Sequence, residues 1–272
     1  MDDTSFLSAP MEPPAHEKLA SHEVYDAEPN AGAASQPPAP LLDASSRRRV
    51  QIALGAILAS VAIVVAVSTT VGISFSLKVA YMCALAAAVC AVVFGLLPPI
   101  PQPLEYHAFA DARTLCCGVP NTLDVVSNIP FLLFGICGFV VAVLPGAAIA
   151  PATTNFFAPI EFLDSAEQWC WIVFFIGCML TAAGSGYYHW RPDNARLVWD
   201  RYPMTICFME IWTQMLQERL EIGAAGGAVM QAVFLSIGLF SVYWWSRTDD
   251  LRLYFIVQVC STCIGELLLL SF

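Results

Sequence analysis

QWCWIVFFIGCMLTAAGSGYY, residues 168–188, runs for twenty-one residues without an Asp, Glu, Lys or Arg. A helix of that length rises about 30 Å, the thickness of a bilayer's hydrocarbon core. Comparable apolar runs occupy 50–72, 79–98, 122–145, 202–217, 227–245 and 251–270, with Glu210 and Gln214 interrupting the one at 202–217. The expectation is an all-α fold: a polytopic transmembrane helix bundle of about seven spans behind a disordered N-terminal tail.

Composition agrees. Hydrophobic residues make up 58% of the 272 and charged residues 12%, where a soluble domain carries about 25% charged. Residues 1–49 hold eight acids and four bases, which leaves 22 charged side chains for the remaining 223 residues. A net charge of −10 without a basic patch excludes a nucleic-acid binder. The apolar runs exclude a cytosolic enzyme, a collagen and a coiled coil.

Three regions follow. Residues 1–49 form an acidic tail rich in Pro and Ala, and seven of the eighteen prolines fall before residue 47. Such a segment buries too little apolar area to offset its ordering entropy. Its acidity also argues against a signal or transit peptide. Residues 50–99 supply two transmembrane helices, and a break at Leu97–Pro103 opens the third region, 100–272. Eight of the ten cysteines lie in apolar runs, where free thiols act as small packing groups.

Basic residues of short loops stay cytoplasmic. With the N-terminus inside, ten of the twelve fall on the inner side, Arg191, Arg196 and Arg201 among them; only Lys78 and Arg219 fall outside. That alternation predicts a cytosolic N-terminus. Aromatic clusters at Trp169/Trp171, Trp190/Trp199 and Tyr243–Trp245 read as interfacial belts, and Glu210 is expected to face the bundle interior.

The densest polar group is the stretch 184–205, GSGYYHWRPDNARLVWDRYPMT. Ser185 and His189 are four residues apart, so a helix sets them on one face. Asp200 stands where the next span begins, and a short loop brings it back beside them. Three functions are open to this set: a serine nucleophile with its base and acid, a metal held by His189 with Asp200 taking a proton, or plain structure. In the last, His189 is an interfacial histidine, Asp200 a helix N-cap and the arginines positive-inside charges.

Together with Glu105–Arg113 (EYHAFADAR), Gly118–Phe131 (GVPNTLDVVSNIPF) and Trp244 through Arg247–Arg252 (RTDDLR), this stretch resembles the alkaline ceramidase family, most of all its plant alkaline phytoceramidase branch. The resemblance covers about Ile100 to Gln258, and Ser185-x3-His189-x10-Asp200 has the spacing of that family's site. Five of the spans correspond to the family core.

The resemblance implies a zinc-dependent hydrolase that cleaves the N-acyl amide bond of ceramide or phytoceramide to a sphingoid base and a fatty acid. It implies His189 as a zinc ligand, Asp200 as the proton shuttle and Ser185 as a hydrogen-bond donor to the metal-bound water or the oxyanion. It further implies sphingolipid metabolism in the endoplasmic reticulum or Golgi. Two departures accompany it. The family's other zinc ligands form a His-x3-His pair on its last helix, and the four histidines here, His16, His22, His107 and His189, include none. The likeness stops short of that helix, which makes a shortened, inactive chain that binds lipid or modulates an active relative the alternative expectation. Cys260 and Cys263 have a metal-ligand spacing but lie in an apolar span and are expected to pack. Calcium is a further cofactor of some family members, with Asp111, Asn121 and Asp124 in the corresponding region. A receptor of the adiponectin/progestin type is the more distant reading.

Overall fold

A computed structural model describes residues 43–71, 74–115, 117–144 and 162–259. Residues 1–42 of the expected N-terminal tail, Cys116, Cys260, Cys263 and Glu266 lie outside them, whereas residues 44–49, expected as part of that tail, are the first turns of a helix. All regular structure among the described residues is helical: α1 (Ala44–Val71), α2 (Phe75–Leu96), α3 (Thr122–Val126), α4 (Ile129–Val143), α5 (Ser165–Trp190), α6 (Asn194–Leu220), α7 (Ala224–Thr248) and α8 (Arg252–Val259), with a one-turn 3-10 helix at Leu104–His107. Four stretches are long and apolar enough to cross a membrane: Ser76–Leu96, Thr122–Val143, α5 and α7.

The helix boundaries have local causes. Asp164 caps α5 by accepting from the amides of Ala166 and Glu167. Pro192 ends the path of α5, since a proline disfavours helical geometry in the residue before it. Asp193 then caps α6 by accepting from the Arg196 amide at 2.7 Å. The apolar run at 122–145 is divided where the Asn128 side chain turns back to the Asp124 carbonyl and Pro130 opens α4. The run at 202–217 begins earlier than expected, because α6 already starts at Asn194. It carries more charge than the four apolar stretches and is packed between α5 and α7.

Glycines set the closeness of these contacts, as small residues do between membrane helices. A Cβ on Gly138 would overlap the Phe175 ring, one on Gly238 would meet Met209 and Thr205, and one on Gly184 would lie 2.1 Å from the Trp199 carbonyl oxygen. That last contact has a partner cause in α6. Pro203 lies within the helix, has no N–H for the carbonyl four residues earlier, and crowds it with its ring. The carbonyl so released is that of Trp199, and the α5 backbone at Gly184 closes on it. Buried hydroxyls along these seams bond to their own helices: Thr181 to Gly177, Thr205 to Arg201, Thr213 to Met209 and Ser241 to Gly238.

At the end of the bundle where α5 turns into α6 and α7 into α8, Tyr188, Leu197, Val242, Trp245, Leu251 and Tyr254 form a buried cluster. The extended connector after α2 is fastened over it. Asp250 accepts from the Ile100 amide, Asp249 from the Gln102 amide, and Ile100 returns its carbonyl to the Leu251 amide. Arg252 pairs with Asp250 at 2.7 Å and donates to the Leu97 carbonyl at 2.8 Å.

Two outcomes are expected. Gly184→Ala forces the helix pair apart and costs about 1–3 kcal/mol or more, read as a lower unfolding temperature. Gly186→Ala, with open space at its Cβ, is neutral or stabilising by up to about 1 kcal/mol. Equal effects of the two would contradict the close approach. The second concerns Asp250: burial pushes its carboxyl up, but hydrogen bonds from the Arg252 guanidinium and the amides of Arg252 and Ile100 outweigh it, and the net displacement is downward. A carboxyl lowered by folding stabilises above its unfolded value and loses that contribution as pH falls through the lowered one. The stability gap between wild type and Asp250→Asn should therefore narrow as pH drops below the ordinary carboxylate range, and a constant gap would refute the pairing.

Candidate functional site

The last two turns of α5 and the second turn of α6 carry the site. Ser185 and Asp200 are both buried, each 7% exposed, and His189 is half-buried. Ser185 and His189 lie close enough to Asp200 to influence its carboxylate electrostatically. Asp200 Oδ1 and His189 Nδ1 have no hydrogen-bond partner. Buried polar atoms are seldom left so, because the unmade bond costs about 1–3 kcal/mol. One face of His189 lies against Phe109, with ring centroids 4.8 Å apart, and its backbone carbonyl accepts from the Asn121 side chain at 2.8 Å. The segment between the 3-10 helix and α3 thereby holds the imidazole from outside.

These positions correct one structural alternative. Asp200 is not an N-cap: that part belongs to Asp193, whose carboxylate also pairs with Arg196. Asp200 is interior to α6, and its carboxylate turns to the site. An imidazole, a carboxylate and a hydroxyl so arranged can hold and pass a proton.

The fit to a metal is incomplete. A catalytic zinc takes about three protein ligands, and among the described residues no group of three His, Cys, Asp or Glu side chains is arranged to hold an ion. His107 is close by but engaged at both nitrogens, with the Tyr188 hydroxyl 3.0 Å from Nδ1 and Asn194 Oδ1 2.9 Å from Nε2. A ring donating from Nε2 and accepting at Nδ1 satisfies all three groups. Asp111 is likewise engaged: side-chain hydrogen bonds from Arg113 lower its carboxyl to about 2. Asn121 is committed to His189 and Asp124 offers its backbone carbonyl to Ser127 and Asn128.

Beside this set lies a group the sequence reading passed over. Arg201, read as a positive-inside charge, is 6% exposed. Its guanidinium sits 4.1 Å from the Trp245 ring centre, 4.8 Å from Tyr254 and 5.8 Å from Tyr106, and Nη2 donates to Gln102 at 2.6 Å. Trp245 is therefore a buried wall and not part of an interfacial belt, whereas Trp169, Trp190 and Trp199 are exposed as a belt requires. A charge count along the sequence gives no sign of this; its three aromatic partners come from three separate segments. Glu210 does face the interior, fully buried and accepting from Gln231 at 2.8 Å.

Scans against family profiles, curated proteins and solved structures find no match. For His107, the geometry predicts a structural effect. His107→Ala breaks two side-chain hydrogen bonds and should lower stability by about 1–3 kcal/mol in thermal unfolding; an unchanged unfolding temperature would contradict these contacts.

Proposed function

We propose that this chain is a membrane amide hydrolase of the ceramidase type, acting on the N-acyl bond of ceramide or phytoceramide to give a sphingoid base and a fatty acid. What supports it most is the convergence of Ser185, His189 and Asp200 at the spacing Ser-x3-His-x10-Asp, with unpartnered atoms on both the imidazole and the carboxylate. Membrane helices on either side suit a substrate that never leaves the bilayer.

In this reading Asp200 takes a proton from the attacking water and returns it to the departing amine. Its burial among apolar residues strengthens its dealings with a developing charge. Ser185 donates to the oxygen on which negative charge collects. His189 supplies the imidazole on the same face. Zinc is the cofactor the resemblance implies, a Lewis acid for this chemistry; among the described residues His189 would hold it, short of a three-ligand set. Calcium has still less support. An endomembrane location is what the resemblance implies, and the distribution of basic residues supports a cytosolic N-terminus.

A second reading has its own support in the incomplete ligand set: a protein that binds ceramide-like lipid without cleaving it, or modulates an active relative. The two separate on product release. Purified protein in lipid nanodiscs, supplied with zinc and an N-acyl sphingosine, should release free sphingoid base. Asp200→Asn should lower that rate roughly 10²-fold or more, as loss of a proton-transfer group does, while zinc per chain stays within about twofold. Equal loss of both would make Asp200 structural. Ceramide binding without release from wild type would favour the second reading.

A further inference from the structure

Midway along α6, Glu210 is 0% exposed, and the proposed hydrolysis makes no use of it. Its Oε2 accepts from the Gln231 side chain of α7 at 2.8 Å, while its Oε1 has no hydrogen-bond partner. Gln214 stands one turn further along the same helix face, and its Oε1 also lacks a partner. The two side chains border a gap of about 10 Å³ together with Cys170, Trp171, Phe174 and Ile211. That volume is at the lower limit for a single water. Each of the two oxygens exposes less than 1 Å², so the gap does not solvate them.

The surroundings do not offset a negative charge at Glu210. Among the described residues, no Lys, Arg or His nitrogen lies within 4.0 Å of its carboxyl. From α5 it meets Cys170, Trp171 and Phe174, of which only the thiol titrates, and that sulfur accepts from Gln217 at 3.3 Å. From α7 it meets the neutral Gln231. The α8 helix meets α6 at the opposite end, around Arg201. Turning the Gln214 amide over would add a second neutral donor and still leave the charge without a cation. An ionised carboxylate in such a place is costly enough that the group takes up a proton instead, and ionisable side chains inside a membrane bundle mark functional positions.

We propose that Glu210 is a proton-binding site inside the bundle: its carboxyl is a neutral acid in the folded protein at neutral pH, and the proton is bound as α5, α6 and α7 close around it. The hydrogen-bond pattern leads to the same place without reference to charge. A proton on Oε1 turns a bare acceptor into a donor and leaves Gln214 Oε1 as an acceptor for it, while Oε2 keeps the bond from Gln231. Packing is thereby tied to pH. Above the ordinary carboxylate range the unfolded chain has released this proton and the folded chain keeps it. Stability therefore falls as pH rises, until the folded carboxyl ionises as well. The site is independent of the amidase reading: ten residues, about 15 Å along the helix, separate Glu210 from Asp200.

The test is infrared difference spectroscopy of full-length protein in phosphatidylcholine nanodiscs at neutral pH, wild type against Glu210→Gln. The carbonyl stretch of an un-ionised carboxyl is separate from the carboxylate bands and shifts in heavy water. The wild type should show one such band that Glu210→Gln lacks. Gln231→Ala, which removes the donor to Oε2, should displace the band without abolishing it, and it carries the test if Glu210→Gln does not fold. In unfolding measurements, the ratio of the wild-type to the Glu210→Gln unfolding constant should rise about tenfold per pH unit above the carboxylate range, the dependence of one bound proton. Carboxylate bands in place of the acid band would overturn the proposal, as would the same pH dependence in both proteins. Carboxylate bands that shift when sodium is replaced by N-methylglucamine would also overturn it, and would make the missing partner a metal cation.

Discussion

A side chain at position 184 is forbidden by the carbonyl oxygen of Trp199, and most of the site follows from that one contact. Pro203 frees the carbonyl from its own helix and glycine admits it to the neighbouring one. The contacting residues are each followed by a site residue. Ser185 comes directly after Gly184, Asp200 directly after Trp199, and His189 one turn beyond Ser185 on the same face. Helices that pack over ordinary side chains stand about 8–10 Å apart; the glycine lets the backbones approach more closely, which sets Ser185 near Asp200. The pairing is thus written into two residues, Gly184 and Pro203, that themselves perform no chemistry.

The second constraint is the burial of Arg201. Removing a guanidinium from water costs several kcal/mol, and a cation–π contact returns about 0.5–2 kcal/mol, the more so where water is excluded. Trp245, Tyr254 and Tyr106 come from α7, α8 and the 3-10 helix, so the charge draws three separate segments around itself. The Asp249, Asp250 and Arg252 hydrogen bonds then bind the connector after α2 to the α7–α8 turn.

The sequence made some of this readable and withheld the rest for specific reasons. Apolar runs located the helices, since a lipid-facing helix carries its signature on every side. Ser185 and His189 could be joined by helical spacing alone. Asp200 required the short turn at Pro192–Asp193, and its precise station was misjudged because Asp193 lay ready as the cap a few residues earlier. The span at 202–217 appeared short because Asp200 and Arg201 look like boundary residues, yet both are buried. Gly184 gave no sign of its importance, for a glycine in a helix acquires meaning from the atom opposite. Trp245 was misplaced and the burial of Arg201 unforeseen: charge placement and aromatic belts describe average positions relative to a membrane, and this pair is set by contact between two helices.

A buried hydroxyl and carboxylate with a half-buried imidazole beside them are the groups on which the proposed amidase reading rests. The most direct measurement is made on the wild-type protein in nanodiscs, with an N-acyl sphingosine in water enriched in oxygen-18 and the released fatty acid weighed by mass spectrometry, as purified and after zinc addition. The account predicts free sphingoid base and a fatty acid carrying one heavy oxygen from solvent. Intact ceramide under both conditions, or a released acid without the label, would contradict it.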